Sequence, residues 1–280
     1  MNEAKMDINL LFSIDENFTT QLMTTVYSIY ANSQSDNHYH VYIVQEEPLK
    51  TAKQLNAFFD RYDIDYHPIV IDKHDFSKAP VSKRYPKSIY FRLLAHEYLP
   101  TDLDKILYLD ADILCLNDMT PFYETDLTGY LYAASMHADA LNLTSTVNKI
   151  RLDTDLDNYY NSGVLLMNLA LIREKVHPSD IFKFIDEYKN FLLLPDQDVL
   201  NKLYGDDIMP VPDNYYNYDV RKDLTYQIVS DGEYTPSWVA ENTVFLHYCG
   251  KNKPWQAKNP NDKYNFIYKH YMHLTLDDNK

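Results

Sequence analysis

Glycine is scarce in this sequence, with five residues in 280. Neither GxGxxG nor GxxxxGK(S/T) occurs, so Rossmann dinucleotide and P-loop readings drop out. Cysteine is scarcer still. Cys115 and Cys249 cannot build a disulfide framework, and a reduced cytosolic setting is the expectation. No apolar run approaches the roughly 18–20 residues that a membrane span needs. Met1 to Met6 lack a basic region followed by a long apolar one, so no secretory signal is expected. On that reading the sequons Asn17-Phe18-Thr19 and Asn142-Leu143-Thr144 are coincidence. Positive charge is also short, with 26 Lys+Arg against 41 Asp+Glu and a net charge of -15. An acidic chain without a basic arm is a poor nucleic-acid binder.

What is present is the composition of a folded domain, 45% hydrophobic and 24% charged, which excludes disorder. Strands and helices alternate along the first two-thirds. Ile8 to Ile14, His40 to Val44, Tyr66 to Ile71 and Lys105 to Leu109 read as strands. Between them, Thr19 to Ser33 and Leu49 to Tyr62 carry helical periodicity, and Ser88 is placed to cap a helix bearing Arg92. This order predicts an α/β fold: a mostly parallel twisted sheet flanked by helices, with ligands beyond the carboxyl ends of its strands. Further strands are expected at Tyr130 to Ala134 and Val164 to Asn168, and helices at Phe182 to Leu193 and Val199 to Tyr204. The polar stretch from Met136 to Asp157 has no clear period. Pro210 to Pro254, rich in Pro, Asn and Tyr, reads mainly as loops with one strand at Val244 to Leu246. No internal repeat or linker divides the chain, so one domain over residues 1–255 is expected, followed by a tail over 256–280.

Six Asp-x-Asp pairs occur, so the motif by itself carries no information in so acidic a chain. Context separates them. Asp110-Ala111-Asp112 directly follows Ile106-Leu107-Tyr108-Leu109, which places its carboxylates at a strand's carboxyl edge. In extended chain, residues i and i+2 face the same side, so both can hold one hard divalent cation. A strand-to-turn junction capped by two aspartates is the simpler alternative. The acidity adds an argument. A phosphate-ester ligand would need a bridging cation in a protein with so many carboxylates and no glycine cradle.

His247 ends a short apolar run and is either a core histidine or a third metal ligand. Gly250-Lys251-Asn252-Lys253 suits an anion through backbone N–H and ammonium groups. A zinc or thiol-nucleophile reading of Cys249 is weak without a CxxC pair. Asp196 and Gln197 open a helix, where acids stabilise the dipole or, alternatively, point into a cleft. Asn161 either closes a turn or meets a ligand hydroxyl. Arg92 either clamps an anion or forms a surface ion pair.

Together these segments resemble the family 8 retaining glycosyltransferases. The resemblance runs from Asp7 to Trp255 through six motifs in order. They are Phe12-Ser13-Ile14-Asp15-Glu16-Asn17-Phe18, Tyr90-Phe91-Arg92-Leu93, Leu107-Tyr108-Leu109-Asp110-Ala111-Asp112, Tyr160-Asn161-Ser162-Gly163-Val164, Asp196-Gln197-Asp198-Val199-Leu200-Asn201 and His247-Tyr248-Cys249-Gly250-Lys251-Asn252-Lys253-Pro254-Trp255. It implies a GT-A fold and a divalent metal, Mn²⁺ or alternatively Mg²⁺, on Asp110, Asp112 and His247. It implies that Asp15 and Asn17 bind the uridine of a UDP-sugar near Phe18 and Ser13, with Ala111 also in the donor site. Arg92 and Asn161 would meet the donor sugar or its phosphates, and Gly250 and Lys253 the diphosphate. Asp196 and Gln197 would stand beside the donor sugar, Gln197 near its anomeric carbon. Gln197 is a poor nucleophile, which favours front-face attack over the two-carboxylate route of many retaining glycosidases.

The function implied is metal-dependent transfer of galactose or glucose from a UDP-sugar to a glycan, glycolipid or glycoprotein acceptor. The alternatives are a UDP-sugar hydrolase or a weakly catalytic carbohydrate-binding protein of the same fold. Where well-known galactosyltransferases of the family place an acid at the acceptor side, this chain has His137, with Asp139 two residues on. The expected location is cytoplasmic, with peripheral contact at the inner face of the membrane through Tyr264, Phe266, Ile267, Tyr268 and Tyr271 of the tail. Some of the 26 tyrosines are expected to line a sugar groove.

Overall fold

Alternating burial along Met6–Ser13 sends Ile8, Leu10 and Phe12 to one face of a sheet and Leu11 to the other. This strand, β1, is covered on both sides, which is why it reads as an almost unbroken apolar run. The computed structural model describes residues 6–33, 37–71, 87–136, 158–188, 190–256 and 263–277. Among them, β1 is followed by helix α1 (Thr19–Asn32), β2 (Asn37–Gln45), α2 (Ala52–Arg61) and β3 (Asp65–Val70). A 3-10 helix (Lys87–Leu94) runs into α3 (Ala95–Tyr98), then β4 (Lys105–Leu109), β5 (Ile113–Cys115), α4 (Thr120–Tyr123) and β6 (Tyr132–Ser135). Next come β7 (Val164–Asn168), α5 (Leu169–Lys175), α6 (Pro178–Tyr188), α7 (Pro195–Tyr204) and β8 (Ile208–Val211). The last elements are α8 (Asp213–Tyr216), β9 (Tyr218–Asp219), α9 (Asp223–Val229), α10 (Pro236–Asn242), β10 (Phe245–His247) and α11 (Asn265–Asp277).

Among the described residues, seven strands form the central sheet in the order β3-β2-β1-β4-β7-β6-β8. The expected mostly parallel α/β sheet is present, with β7 alone antiparallel to its neighbours β4 and β6. A three-stranded sheet, β5-β10-β9, stands beside it. Three expectations need correction. The segment bearing Arg92 is a 3-10 helix for most of its length. The stretch from Pro210 to Pro254 contains the end of β8, three short α-helices, a 3-10 helix (Val220–Lys222) and two further short strands, where mainly loops with one strand were expected. The helix expected at Phe182 to Leu193 starts earlier and ends at Tyr188.

Tyr90, Tyr108, Tyr132, Tyr218, Tyr226, Tyr248 and Tyr268 are fully buried, so this part of the tyrosine content packs the core. Several carry their hydroxyls to partners: Tyr226 donates to Asp213 at 2.7 Å and Tyr248 to the Tyr264 carbonyl at 2.7 Å. Buried phenols need such partners. Tyr264 and Tyr268 pack with Leu246 and Tyr248, joining the last helix to the small sheet. No helix among the described residues is long and apolar enough to cross a membrane.

Candidate active site

Two strand pairings assemble the site. Antiparallel pairing of β4 with β7 sets Leu109 opposite Val164, and the Asp110 N–H donates to the Gly163 carbonyl at 2.8 Å. Antiparallel pairing of β5 with β10 sets His247 opposite Ile113, and the Tyr248 N–H donates to the Asp112 carbonyl at 3.0 Å. Asp110-Ala111-Asp112 lies in the turn between β4 and β5. The aspartates therefore converge because the chain turns, and not because a strand continues through them. One carboxylate oxygen from each and a ring nitrogen of His247 lie within 4.8 Å of one another. His247 Nε2 is 3.2 Å from Asp112 Oδ1 and 3.8 Å from Asp110 Oδ2.

Oxygen and imidazole donors in this arrangement suit a divalent ion such as Mn²⁺. Gly163 makes the convergence possible. A Cβ there would sit 2.4 Å from His247 Cε1 and 2.8 Å from Asp110 Oδ2. The other ring nitrogen, Nδ1, is 2.8 Å from Asn217 Oδ1. Asn217 in turn donates through Nδ2 to Asn161 Oδ1 at 2.8 Å. Asn161 Oδ1 also accepts the Gly163 N–H at 2.9 Å.

Arg92 is buried, contrary to the simple surface ion pair. Its guanidinium meets Asp110 at 2.9 Å and Asp196 at 3.4 Å, lies 4.3 Å from the Tyr108 ring centroid, and donates to the Ser162 carbonyl at 2.8 Å. Asp196 Oδ2 also accepts from the Ser162 hydroxyl at 2.7 Å. Gln197 Oε1 accepts from Asn161 Nδ2 at 3.1 Å. The neighbouring Asp198 takes a different part. It accepts the N–H groups of Leu193 and Leu194 at 2.8 and 3.1 Å and holds the chain that enters α7. Lys253 is ion-paired with Asp112 and donates to the Tyr248 carbonyl at 2.8 Å.

Charge and burial act against each other here. Burial alone would raise the Asp112 carboxyl, but His247 and Lys253 outweigh it and hold the group well below the usual carboxylate range. Burial disfavours the imidazolium of His247, yet Cys249 and Asp112 push its pKa well above the histidine range. Burial pushes Asp196 upward, and Arg92 and Ser162 offset only part of that.

These groups line one cleft of about 590 Å³. Arg92, Asp110, Asp112, Asn161, Asp196 and Gln197 are among its lining residues. Asn17 and Phe18 reach it from the first motif, and His247, Gly250 and Lys253 from the last. Its aromatic wall is Phe18 edge-on to Trp255, with centroids 6.1 Å apart. Asp15 caps the turn at Glu16–Phe18 by accepting the Asn17 N–H at 2.8 Å. Ser13 ends β1 just before it, and the Ala111 carbonyl accepts from Thr25 at 3.1 Å. His137 and Asp139 lie outside the described residues.

Sequence reasoning gave no role to Asn217, Arg221 or Gln21. Arg221 lines the cleft and forks onto the buried Asp219, with guanidinium contacts of 2.6 to 3.1 Å. Gly250, at φ +86°, passes beside it, and a Cβ there would meet Arg221 at 3.0 Å. No local motif marks these positions. Both cysteines are buried, and neither is in a disulfide.

Comparison with known proteins gives this geometry a context. The lipopolysaccharide 1,2-glucosyltransferase of Escherichia coli is 28% identical over 259 residues, covering 90% of this chain and 74% of its own. General stress protein A of Bacillus subtilis is 24% identical, with 96% and 94% covered. The lipopolysaccharide 1,3-galactosyltransferase of Salmonella typhimurium is 27% identical, with 89% and 73% covered. Among solved structures, the galactosyltransferase LgtC in complex with donor and acceptor sugar analogs has the same fold, at a TM-score of 0.78 and 23% identity over 95% of this chain and 96% of that one. The profile of Glycosyl transferase family 8 matches residues 9–259, and the chain belongs to that family.

Proposed function

We propose that this glycosyltransferase moves a galactosyl or glucosyl unit from a UDP-sugar to a carbohydrate-bearing acceptor, with retention of the anomeric configuration. The observation that carries the reading is the convergence of Asp110, Asp112 and His247 on the same cleft as Asp196, Gln197 and Lys253. The glucosyl- and galactosyltransferase relatives support a hexose donor and a glycan acceptor.

Asp110, Asp112 and His247 would hold the divalent ion, for which Mn²⁺ is the proposed identity. When bound, such an ion supplies positive charge that neutralises the diphosphate leaving group. Its presence suits the local charge, since three carboxylates (Asp110, Asp112 and Asp196) face the cations of Arg92 and Lys253. Asn17 and Phe18 would receive the uridine, with Asp15 and the Ser13 backbone at the entrance. Lys253 would leave Asp112 for the diphosphate and stabilise the charge that grows on it, as an oxyanion donor does. Gly250 would admit the phosphates close to backbone.

Gln197 would stand beside the anomeric carbon with its amide oriented by Asn161. Asp196 Oδ2 is engaged by Ser162 and Arg92, which supports a positioning part over a nucleophilic one. These points favour front-face attack by the acceptor hydroxyl through an oxocarbenium-like state.

The test is release of UDP from UDP-galactose, UDP-glucose and their N-acetylated forms, with Mn²⁺ or a chelator and with or without glycan acceptors. Acceptor-stimulated, chelator-sensitive release from a hexose donor is expected. Turnover insensitive to every acceptor would favour the hydrolase, and no turnover of any donor would leave only sugar binding.

A further inference from the structure

The opposite end of the sheet holds a second cluster of ligand-type side chains. Asp7 on β1, His38 and His40 on β2, and Asp65 and His67 on β3 occupy one face of three adjacent strands. Register explains the grouping. Asp7 pairs with His38 and His40 with Asp65, while His38 and His40, two residues apart, face the same side. Asp7 lies six residues before Ser13, so about 20 Å of strand separates this edge from the catalytic end.

The two imidazoles are 4.8 Å apart between centroids and lie between two carboxylates. Towards Asp7 Oδ1, His38 presents Nδ1 at 3.5 Å and His40 presents Nε2 at 3.6 Å. Both separations exceed the range of a good hydrogen bond. They are close to the ligand-to-ligand edge of a tetrahedral zinc site, about 3.3 Å for bonds of about 2.0–2.1 Å. The remaining ring nitrogens face the other acid: His40 Nδ1 is 3.2 Å and His38 Nε2 3.6 Å from Asp65 Oδ2. At 3.2 Å from Asp65, His40 can give its second N–H to that carboxylate, as a metal-bound histidine characteristically does. His67 stacks on His40 with centroids 5.7 Å apart and on Tyr42 at 4.5 Å.

We propose that this strand edge is a second metal site, in which Asp7 Oδ1, His38 Nδ1 and His40 Nε2 hold one zinc-class divalent ion. Asp65 orients the His40 imidazole as its outer carboxylate. Solvent supplies the remaining position, because Asp7 is largely exposed. The ion ties β1 to β2 at the amino end of the sheet, independently of the cleft.

The test is titration of the full chain with Co²⁺, read by its visible absorption, and with Zn²⁺, read by calorimetry. The background carries Asp112→Asn and His247→Gln to silence the catalytic triad. One equivalent is expected to bind with tetrahedral-type Co²⁺ absorption and to raise the thermal midpoint. His40→Gln should abolish that equivalent, and Asp65→Asn should weaken it about 10–100-fold. No saturable binding in this background, or binding unchanged by His38→Gln and His40→Gln together, overturns the proposal. If the background variant does not fold, Zn²⁺ is counted in the otherwise unchanged chain. Two equivalents falling to one with His40→Gln support the site, and one equivalent untouched by His40→Gln overturns it.

Discussion

Asn217 Oδ1 stands 2.8 Å from His247 Nδ1, and Asn217 Nδ2 donates to Asn161 Oδ1 at 2.8 Å. The second contact fixes the first. Asn161 Oδ1 can only accept, so the Asn217 amide must turn its oxygen to His247, and Nδ1 must carry the hydrogen. Nε2, which faces Asp110 and Asp112, is then the nitrogen that must give up its proton for His247 to bind a cation. Asn217→Ala should therefore lower divalent-metal affinity about 10–100-fold with little change in fold. Calorimetric titration of Mn²⁺ checks this, and affinity equal to the unsubstituted chain would remove Asn217 from the site.

Gly163 is required for space. A Cβ would come within 3 Å of both a His247 ring carbon and an Asp110 oxygen. His247 is buried between two strands and cannot swing aside cheaply. Gly163→Ala should cost about 1–3 kcal/mol in denaturant unfolding. It should also weaken metal binding more than any change confined to the surface. Retained metal affinity would show that the triad tolerates the displacement.

Which of these features was legible in the sequence follows from how local their causes are. Strands such as Lys105–Leu109 announce themselves because burial on both faces leaves an apolar run, and the aspartates after it mark the strand's end. The Arg92 segment reads as helix without its type, because periodicity of apolar residues does not distinguish a 3-10 helix from an α-helix over two turns. The elements between Pro210 and Pro254 were hidden by short lengths and by partners outside the stretch, such as the Tyr264 hydroxyl that donates to Asp223. Asn217 acts through His247, which the pairing of β9 with β10 brings near, and no spacing rule reports such a pairing. The edge cluster at His38 and His40 likewise exists only once β1, β2 and β3 are in register.

Burial pushes the Asp196 pKa upward, so the folded chain holds a proton there more tightly than the unfolded chain does. Stability from this group is then greatest below the unfolded pKa and is lost as pH rises through the folded one. At neutral pH, above the unfolded value, this preference for the proton costs stability. Asp196→Asn should raise the urea midpoint at pH 7, with the advantage vanishing below about pH 4, where the unfolded carboxylate is also protonated. The same substitution should lower transfer, because Arg92 loses a charged partner. Equal midpoints at both pH values would count against a stability cost at Asp196.

Gln197 offers the sharpest test of the chemistry. Its Oε1 accepts from Asn161 Nδ2 at 3.1 Å, which leaves the Nε2 donors as the groups available to a substrate. If Gln197 stabilises charge at the reacting centre, Gln197→Ala should lower kcat about 10²–10³-fold while leaving KM for the donor nearly unchanged. If it only binds ground-state sugar, KM should rise and kcat stay. Steady-state transfer at saturating Mn²⁺ separates the two, and a full transfer rate in Gln197→Ala would remove the residue from the mechanism. Gln197→Glu adds a further readout. A nucleophilic route made accessible by the new carboxylate would trap a glycosyl-enzyme detectable by intact-protein mass spectrometry, whereas front-face attack leaves the chain unmodified.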